Sequence, residues 1–138
     1  MQVPKNANFS DLDILVCDDD DMILRIIDHI LRQLGVANVH VTQSPKTALR
    51  LLKEPARKPF DIFICDWMMA EMSGLDVLRK IRAAGLDVPF IMLTGKTTPD
   101  AVGEAAAQGV DAYIAKPFTA EQVAQKIAAV ARRAKPHV

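Results

Sequence analysis

No apolar run in these 138 residues approaches the ~20 needed to cross a bilayer, and residues 1–10 lack the basic segment and apolar stretch of a secretory signal. On sequence alone the chain is expected in the cytoplasm. Net charge is missing too: 17 Lys plus Arg balance 17 Asp plus Glu, so no polyanion-binding surface is indicated, and neither nucleic acid nor membrane is an expected partner. Cysteine is scarce. Cys17 and Cys65 each close a short apolar run, whereas a disulfide framework would use more cysteines in a smaller chain, so they read as reduced, buried thiols. The three histidines, His29, His40 and His137, show no ligand spacing and neither cysteine belongs to a metal motif, which disfavours zinc. Half the residues are hydrophobic and a quarter are charged, so disorder is not indicated. A chain of this length forms one domain that buries roughly two thirds of its unfolded surface.

What is present is a repeat of two patterns. Strand-sized apolar runs occur at 14–17, 39–41, 62–65, 90–93 and 112–115, nearly continuous instead of alternating, as expected for strands covered on both faces of a parallel sheet. Helical patterns lie between them. Ile23, Ile26, Ile27, Ile30, Leu31 and Leu34 follow the three-and-four spacing of one buried stripe in the first helix. Ser44-Pro45 and Thr98-Pro99 each set a side-chain acceptor before a residue of preset φ, Ser73 is a candidate cap for the third helix, and Thr119 with Gln122 makes a capping box for the last. Gly35, Gly85 and Gly109 stand where helices one, three and four should stop. Five strand–helix units with short loops predict an α/β fold, a doubly wound parallel sheet of five strands flanked by five helices, for which the flavodoxin-like order 2-1-3-4-5 is the expected arrangement and not one the pattern itself fixes. Residues 1–10 read as a flexible leader, 11–132 as the domain and 133–138 as a tail or truncated linker.

Ligands of open α/β sheets bind beyond the carboxyl ends of the strands. There the sequence sets Asp18 to Asp21 after strand one, Asp66 after strand three, Thr94 after strand four and Lys116 after strand five. With strands one and three adjacent, ~4.8 Å apart, Asp18, Asp19 and Asp66 must converge. Two unit charges ~4 Å apart repel by roughly 4 kcal/mol at an effective dielectric of 20, so the trio either raises a pKa or holds a cation. Oxygen-only ligands suit Mg²⁺, which keeps waters and is readily shared with a phosphate. Each residue alone also has a plain reading. Four aspartates in a row serve equally as a solvated helix N-terminus, Thr94-Gly95 as a strand end, and Lys116-Pro117 as an exposed turn. Joint placement is what favours a site.

At this level of detail the sequence resembles the receiver domains of bacterial response regulators, the CheY-like superfamily of two-component signalling. The matching segments are Ile14-Leu15-Val16-Cys17-Asp18-Asp19 with Arg25, Phe63-Ile64-Cys65-Asp66-Trp67-Met68-Met69, Ser73-Gly74-Leu75, Phe90-Ile91-Met92-Leu93-Thr94-Gly95 and Tyr113-Ile114-Ala115-Lys116-Pro117-Phe118. The resemblance implies a phosphoacceptor domain that is not an enzyme beyond its own phosphorylation and slow dephosphorylation. In that reading Asp66 takes a phosphoryl group from the phosphohistidine of a sensor histidine kinase or histidine phosphotransfer protein. Asp19 binds Mg²⁺ directly and Asp18 through water, Asp66 belongs to the same metal set, and the Met68 backbone carbonyl completes it. Lys116 and Thr94 meet the phosphoryl oxygens. Thr94 and the aromatic Tyr113 then switch the surface of helix four, strand five and helix five toward a target protein, as a monomer or a phosphorylation-dependent dimer. The chain is expected to be a stand-alone regulator, the alternative being the receiver of a longer one.

Some positions depart from the family pattern. Ala70 stands where proline is usual, which is expected to loosen the turn after Asp66; Met68 and Lys96 hold the variable positions that tune dephosphorylation. Asp20 and Asp21 exceed the usual acid pair and read as the helix N-terminus, with Asp20 a candidate for a supporting contact. Cys17 and Cys65 are expected on adjacent strands, close enough to oxidise in air. Three rival readings are a haloacid dehalogenase-type phosphatase built on Asp18 and Asp20, a receiver that signals without phosphorylation, and a flavodoxin, whose phosphate loop would not be acidic.

Overall fold

A computed structural model describes residues 9–95 and 98–134. The element order is β1 (Asp13–Cys17), α1 (Asp21–Gln33), β2 (Asn38–Thr42), α2 (Pro45–Lys53), β3 (Ile62–Asp66), α3 (Gly74–Ala83), β4 (Phe90–Thr94), α4 (Pro99–Ala107), β5 (Ala112–Ala115) and α5 (Ala120–Ala134). All strand pairs are parallel, in the order β2-β1-β3-β4-β5. This is the CheY-like flavodoxin fold, as the alternation of patterns predicts.

The apolar strand runs divide by their period of two. Ile14, Val16, Ile62, Ile64, Ile91, Leu93 and Ile114 join one core with Leu24, Ile27, Ile30 and Leu31 of α1 and Val123, Ile127 and Val130 of α5. Leu15, Cys17, Phe63, Cys65, Phe90 and Met92 join the other with side chains of α2, α3 and α4. Phe63 and Phe90 meet edge to face there, 5.2 Å between ring centres. Continuous hydrophobicity is thus two alternating stripes, each covered by its own helices.

Three expectations need correction. Cover on both faces holds for β1, β3 and β4, whose residues are all buried, but β2 is an edge strand and largely exposed, with Val41 at 43%. β5, the other edge, is covered in part. On α1 the buried residues are Leu24, Ile27, Ile30 and Leu31, whereas Ile26 is 42% exposed and Ile23 and Leu34 only flank the core, because the stripe centres between residues 24 and 31 and position 26 turns away. Phe9, assigned to the leader, is buried in the first core, and its carbonyl accepts the Leu12 amide at 3.1 Å. Residues 1–8 and 135–138 lie outside the described residues.

The end signals hold. Ser44, Ser73 and Thr98 accept amides from Thr47, Asp76 and Ala101 as N-caps, and Thr119 and Gln122 exchange amide bonds reciprocally. Gly35, Gly85 and Gly109 take φ of 95°, 80° and 97° after α1, α3 and α4, where a side chain would be strained. At the amino end of the sheet, buried Asp13 is held by Arg57 at 3.1 Å and His40 at 3.3 Å, and the Arg57 guanidinium lies 3.7 Å over the Phe60 ring. That cluster ties the segment before β3 to β1 and β2, and the opposite edge is left to the acids.

Candidate functional site

The register explains why distant acids meet. Val16 pairs with Ile64 and Cys17 with Cys65 across β1 and β3, so Asp18 and Asp66 come next along both strands, on one face of the sheet. Asp18 and Asp66 are buried and Asp19 is exposed, and one carboxylate oxygen from each lies within 4.8 Å of the others. On the far side β4 pairs Thr94 with Ala115, and the Lys116 amide donates to the Thr94 carbonyl at 2.8 Å, which carries the lysine over the pocket. Its Nζ lies 3.1 Å from Asp66 Oδ1 and 3.2 Å from Asp18 Oδ2. Thr94 is buried at the end of β4. The Lys116–Pro117 peptide is cis.

Electrostatics follow from this packing. Burial pushes the Asp66 carboxyl up from 3.8 to about 6; the Asp18 charge, and more weakly Asp19, add to the rise, against the hydrogen bond and charge of Lys116. Burial lowers the Lys116 ammonium, but its bonds to Asp66 and Asp18 and their charges outweigh that, so its pKa is raised. Three clustered acids, two of them bonded to one lysine, leave negative charge uncompensated, and the donor set is oxygen only. It fits a hard divalent cation such as Mg²⁺ and lacks the His and Cys donors that zinc sites favour.

Further contacts set the loops. Asp18 Oδ1 accepts the Asp20 amide at 2.9 Å, and the Asp20 side chain accepts the Met22 amide as N-cap of α1. Asp20 therefore supports Asp18 through its backbone while its carboxylate serves the helix, which separates the two acids that a dehalogenase-type pattern would use together. The Ala70 amide donates to Asp19 Oδ2 at 3.1 Å, so the turn expected to be loosened is tied across the pocket. Gln43 Nε2 donates to the Asp19 carbonyl at 3.0 Å. Gln43 is not among the residues expected from the loops after strands one, three, four and five; its signal is a polar residue at the carboxyl edge, after strand two.

Gly74 was read only as part of a motif. A Cβ there would lie 2.4 Å from the Asp66 carbonyl oxygen and 3.0 Å from Met92 Sδ, and the Gly74 amide donates to the Trp67 carbonyl at 2.8 Å. The loop that follows Asp66 closes only over glycine. Met68 is 60% exposed beside Asp66, and Lys96 lies outside the described residues. Tyr113 is half-buried, and its hydroxyl donates to the Val102 carbonyl of α4. Cys17 and Cys65, opposite each other as expected, are fully buried free thiols directed to Met69 Sδ at 3.7 Å and the Asp66 carbonyl at 3.4 Å.

An open parallel sheet with an acid trio and a lysine at its carboxyl edge defines a CheY-like protein of the flavodoxin fold. Comparison with known proteins then gives the family: residues 14–128 match the response regulator receiver domain, and the chain belongs to that family. It is 38% identical over 122 residues to the chemotaxis protein CheY of Pseudomonas aeruginosa, covering 87% of this chain and 96% of that protein. It is likewise 38% identical over 116 residues to the chemotaxis protein CheY-3 of Vibrio cholerae, covering 83% and 87%. Among solved structures, the receiver domain of the Francisella response regulator 1452 superposes with a TM-score of 0.83 at 26% identity, over 91% of this chain and all of that one. A Clostridium thermocellum receiver domain gives 0.79 at 32% identity, over 88% and 95%.

The protein is thus a receiver domain of two-component signalling, a class of signalling proteins that interact with a kinase and with downstream targets and are not enzymes in the ordinary sense. Receiver domains bind Mg²⁺ at an acidic cluster, and Asp18, Asp19 and Asp66 form such a cluster here. The phosphatase and flavodoxin readings are set aside. No helix among the described residues is long and apolar enough to cross a membrane.

Proposed function

We propose that Asp66 is the phosphoacceptor of this receiver, with Asp18, Asp19, Asp66 and the Met68 carbonyl holding Mg²⁺. The observation that carries the reading is the convergence of three acids from two strand ends, two of which, Asp66 and Asp18, meet one ammonium at 3.1 and 3.2 Å. A carboxylate oxygen of Asp66 attacks phosphorus, the bond from phosphorus to the histidine nitrogen breaks, and the imidazole of the kinase or phosphotransfer partner leaves. Bound Mg²⁺ would offset the carboxylate charge and draw the phosphoryl oxygens in. Lys116 moves from the carboxylates to a phosphoryl oxygen, and the Thr94 hydroxyl donates to another. Water attacking phosphorus later returns the carboxylate and inorganic phosphate, at a rate set by access past Met68.

Output rests on Tyr113. Its hydroxyl bond to Val102 ties β5 to α4, and a Thr94 drawn toward the phosphoryl group opens space for the ring to turn inward and release that bond. The surface of α4, β5 and α5 then meets the target protein. A stand-alone regulator is the proposed reading, with the receiver of a longer protein as the alternative.

Intact mass after incubation with acetyl phosphate and Mg²⁺ tests the assignment. Wild type is expected to gain one phosphoryl group and Asp66→Ala none; equal labelling of both would make another residue the acceptor.

A further inference from the structure

We infer that Gln43 and the backbone amide of Ala70 are positioning groups that hold Asp19 in the geometry Mg²⁺ demands. The inference rests on the proposed metal site and goes beyond it to two groups outside the acid trio.

Asp19 is the member of the trio that needs holding. Asp18 and Asp66 are buried, bonded to Lys116, and fixed at strand ends, whereas Asp19 is exposed on the loop between β1 and α1. An exposed carboxylate on a loop has several rotamers and a backbone free to shift, and a metal site built on it loses affinity to that freedom. Two contacts from different elements remove it. Gln43 Nε2 holds the main-chain carbonyl of Asp19 at 3.0 Å, and the Ala70 amide holds its side chain through Oδ2 at 3.1 Å. One fixes the residue and the other its carboxylate.

Both holders are themselves anchored. Gln43 stands between Thr42, which ends β2, and Ser44, which caps α2, and the Ser44 amide donates to Thr42 Oγ1 at 3.1 Å. Ala70 lies in the loop that Gly74 closes against Trp67. The bond from residue 70 also needs an N–H, which a proline would not supply. Alanine at this position supplies the N–H that reaches Asp19.

Cation selectivity is the consequence. Mg²⁺ requires near-octahedral oxygens at ~2.0–2.1 Å, while Ca²⁺ accepts irregular sets at ~2.3–2.6 Å, so a misplaced Asp19 penalises Mg²⁺ more. A general loss of structure would penalise both alike.

Isothermal titration calorimetry of wild type, Gln43→Met and Ala70→Pro with Mg²⁺ and with Ca²⁺ provides the test, and circular dichroism reports the fold of each. Gln43→Met keeps size and removes the donor; Ala70→Pro removes the N–H. Each is expected to raise the Mg²⁺ Kd about three- to tenfold, the worth of one hydrogen bond, and the Ca²⁺ Kd by less than about twofold. Should Ala70→Pro not fold, Gln43→Met decides. Unchanged Mg²⁺ binding in the folded variants, or equal loss for both cations, overturns the positioning role while leaving the metal site in place. A wild type that binds no Mg²⁺ overturns the proposed metal site itself.

Discussion

Lys116 Nζ is shared between Asp66 Oδ1 and Asp18 Oδ2, at 3.1 and 3.2 Å, so one ammonium faces two buried carboxylates. The lysine lowers the Asp66 pKa, yet burial and the neighbouring acids still carry it to about 6. The pocket stores repulsion that a cation or a phosphoryl-bound state relieves, and the consequences can be measured.

Phosphorylation should depend on pH through Asp66. The nucleophile is the carboxylate, so below about pH 6 its population, and with it the rate of labelling by acetyl phosphate at low Mg²⁺, falls about tenfold per pH unit. Saturating Mg²⁺ favours the charged form and moves the fall to lower pH. Intact mass along a pH series reads both; a rate flat from pH 7 to 4.5 at low Mg²⁺ would contradict the raised pKa.

Stability carries the same signature with a definite sign. The folded protein holds the Asp66 proton more tightly than the unfolded chain does, so between about pH 4 and 6 the folded state binds more protons and stability declines as pH rises. Above that window the full penalty applies, up to about 3 kcal/mol. Asp66→Asn should therefore unfold at higher urea than wild type at pH 7.5 by about 1–3 kcal/mol, with the gain fading as pH approaches 4. Saturating Mg²⁺ should narrow the difference by stabilising wild type.

Two glycines make opposite predictions. Gly74→Ala sets a methyl 2.4 Å from the Asp66 carbonyl oxygen, where backbone must move, and should cost about 2–4 kcal/mol and slow labelling. Gly103→Ala, inside α4 with nothing within 4 Å of the added carbon, should gain about 0.5–1 kcal/mol by restricting the unfolded chain. Urea midpoints of the two variants check the pair.

The thiols should be inert in the folded protein. Burial, then the hydrogen bond and charge of Cys17, then the charges of Asp66 and Asp18 raise the Cys65 thiol well above its usual range, and both sulfurs are fully buried. The expectation of ready oxidation in air, drawn from strand adjacency alone, is opposed by this burial. An aromatic disulfide reagent should label neither cysteine in native buffer and both in urea; fast native labelling would show the strand ends opening.

What the sequence by itself determined was the periodic part of the protein. Strand-sized apolar runs, caps at Ser44, Ser73 and Thr98, and glycines after three helices set the elements, because each depends on neighbours within a few positions. The convergence of Asp18, Asp19 and Asp66 was legible as well, since strand order sends particular loops to one edge. Tertiary structure decided what depends on two surfaces meeting. That Ile26 faces out while Leu24 faces in, that β2 is left uncovered, that Phe9 joins the core, and that Gln43 and the Ala70 amide take hold of Asp19 are facts about distance between segments remote in the chain. A backbone amide carries no sequence signal, because every residue except proline has one; only its position in space makes it a partner.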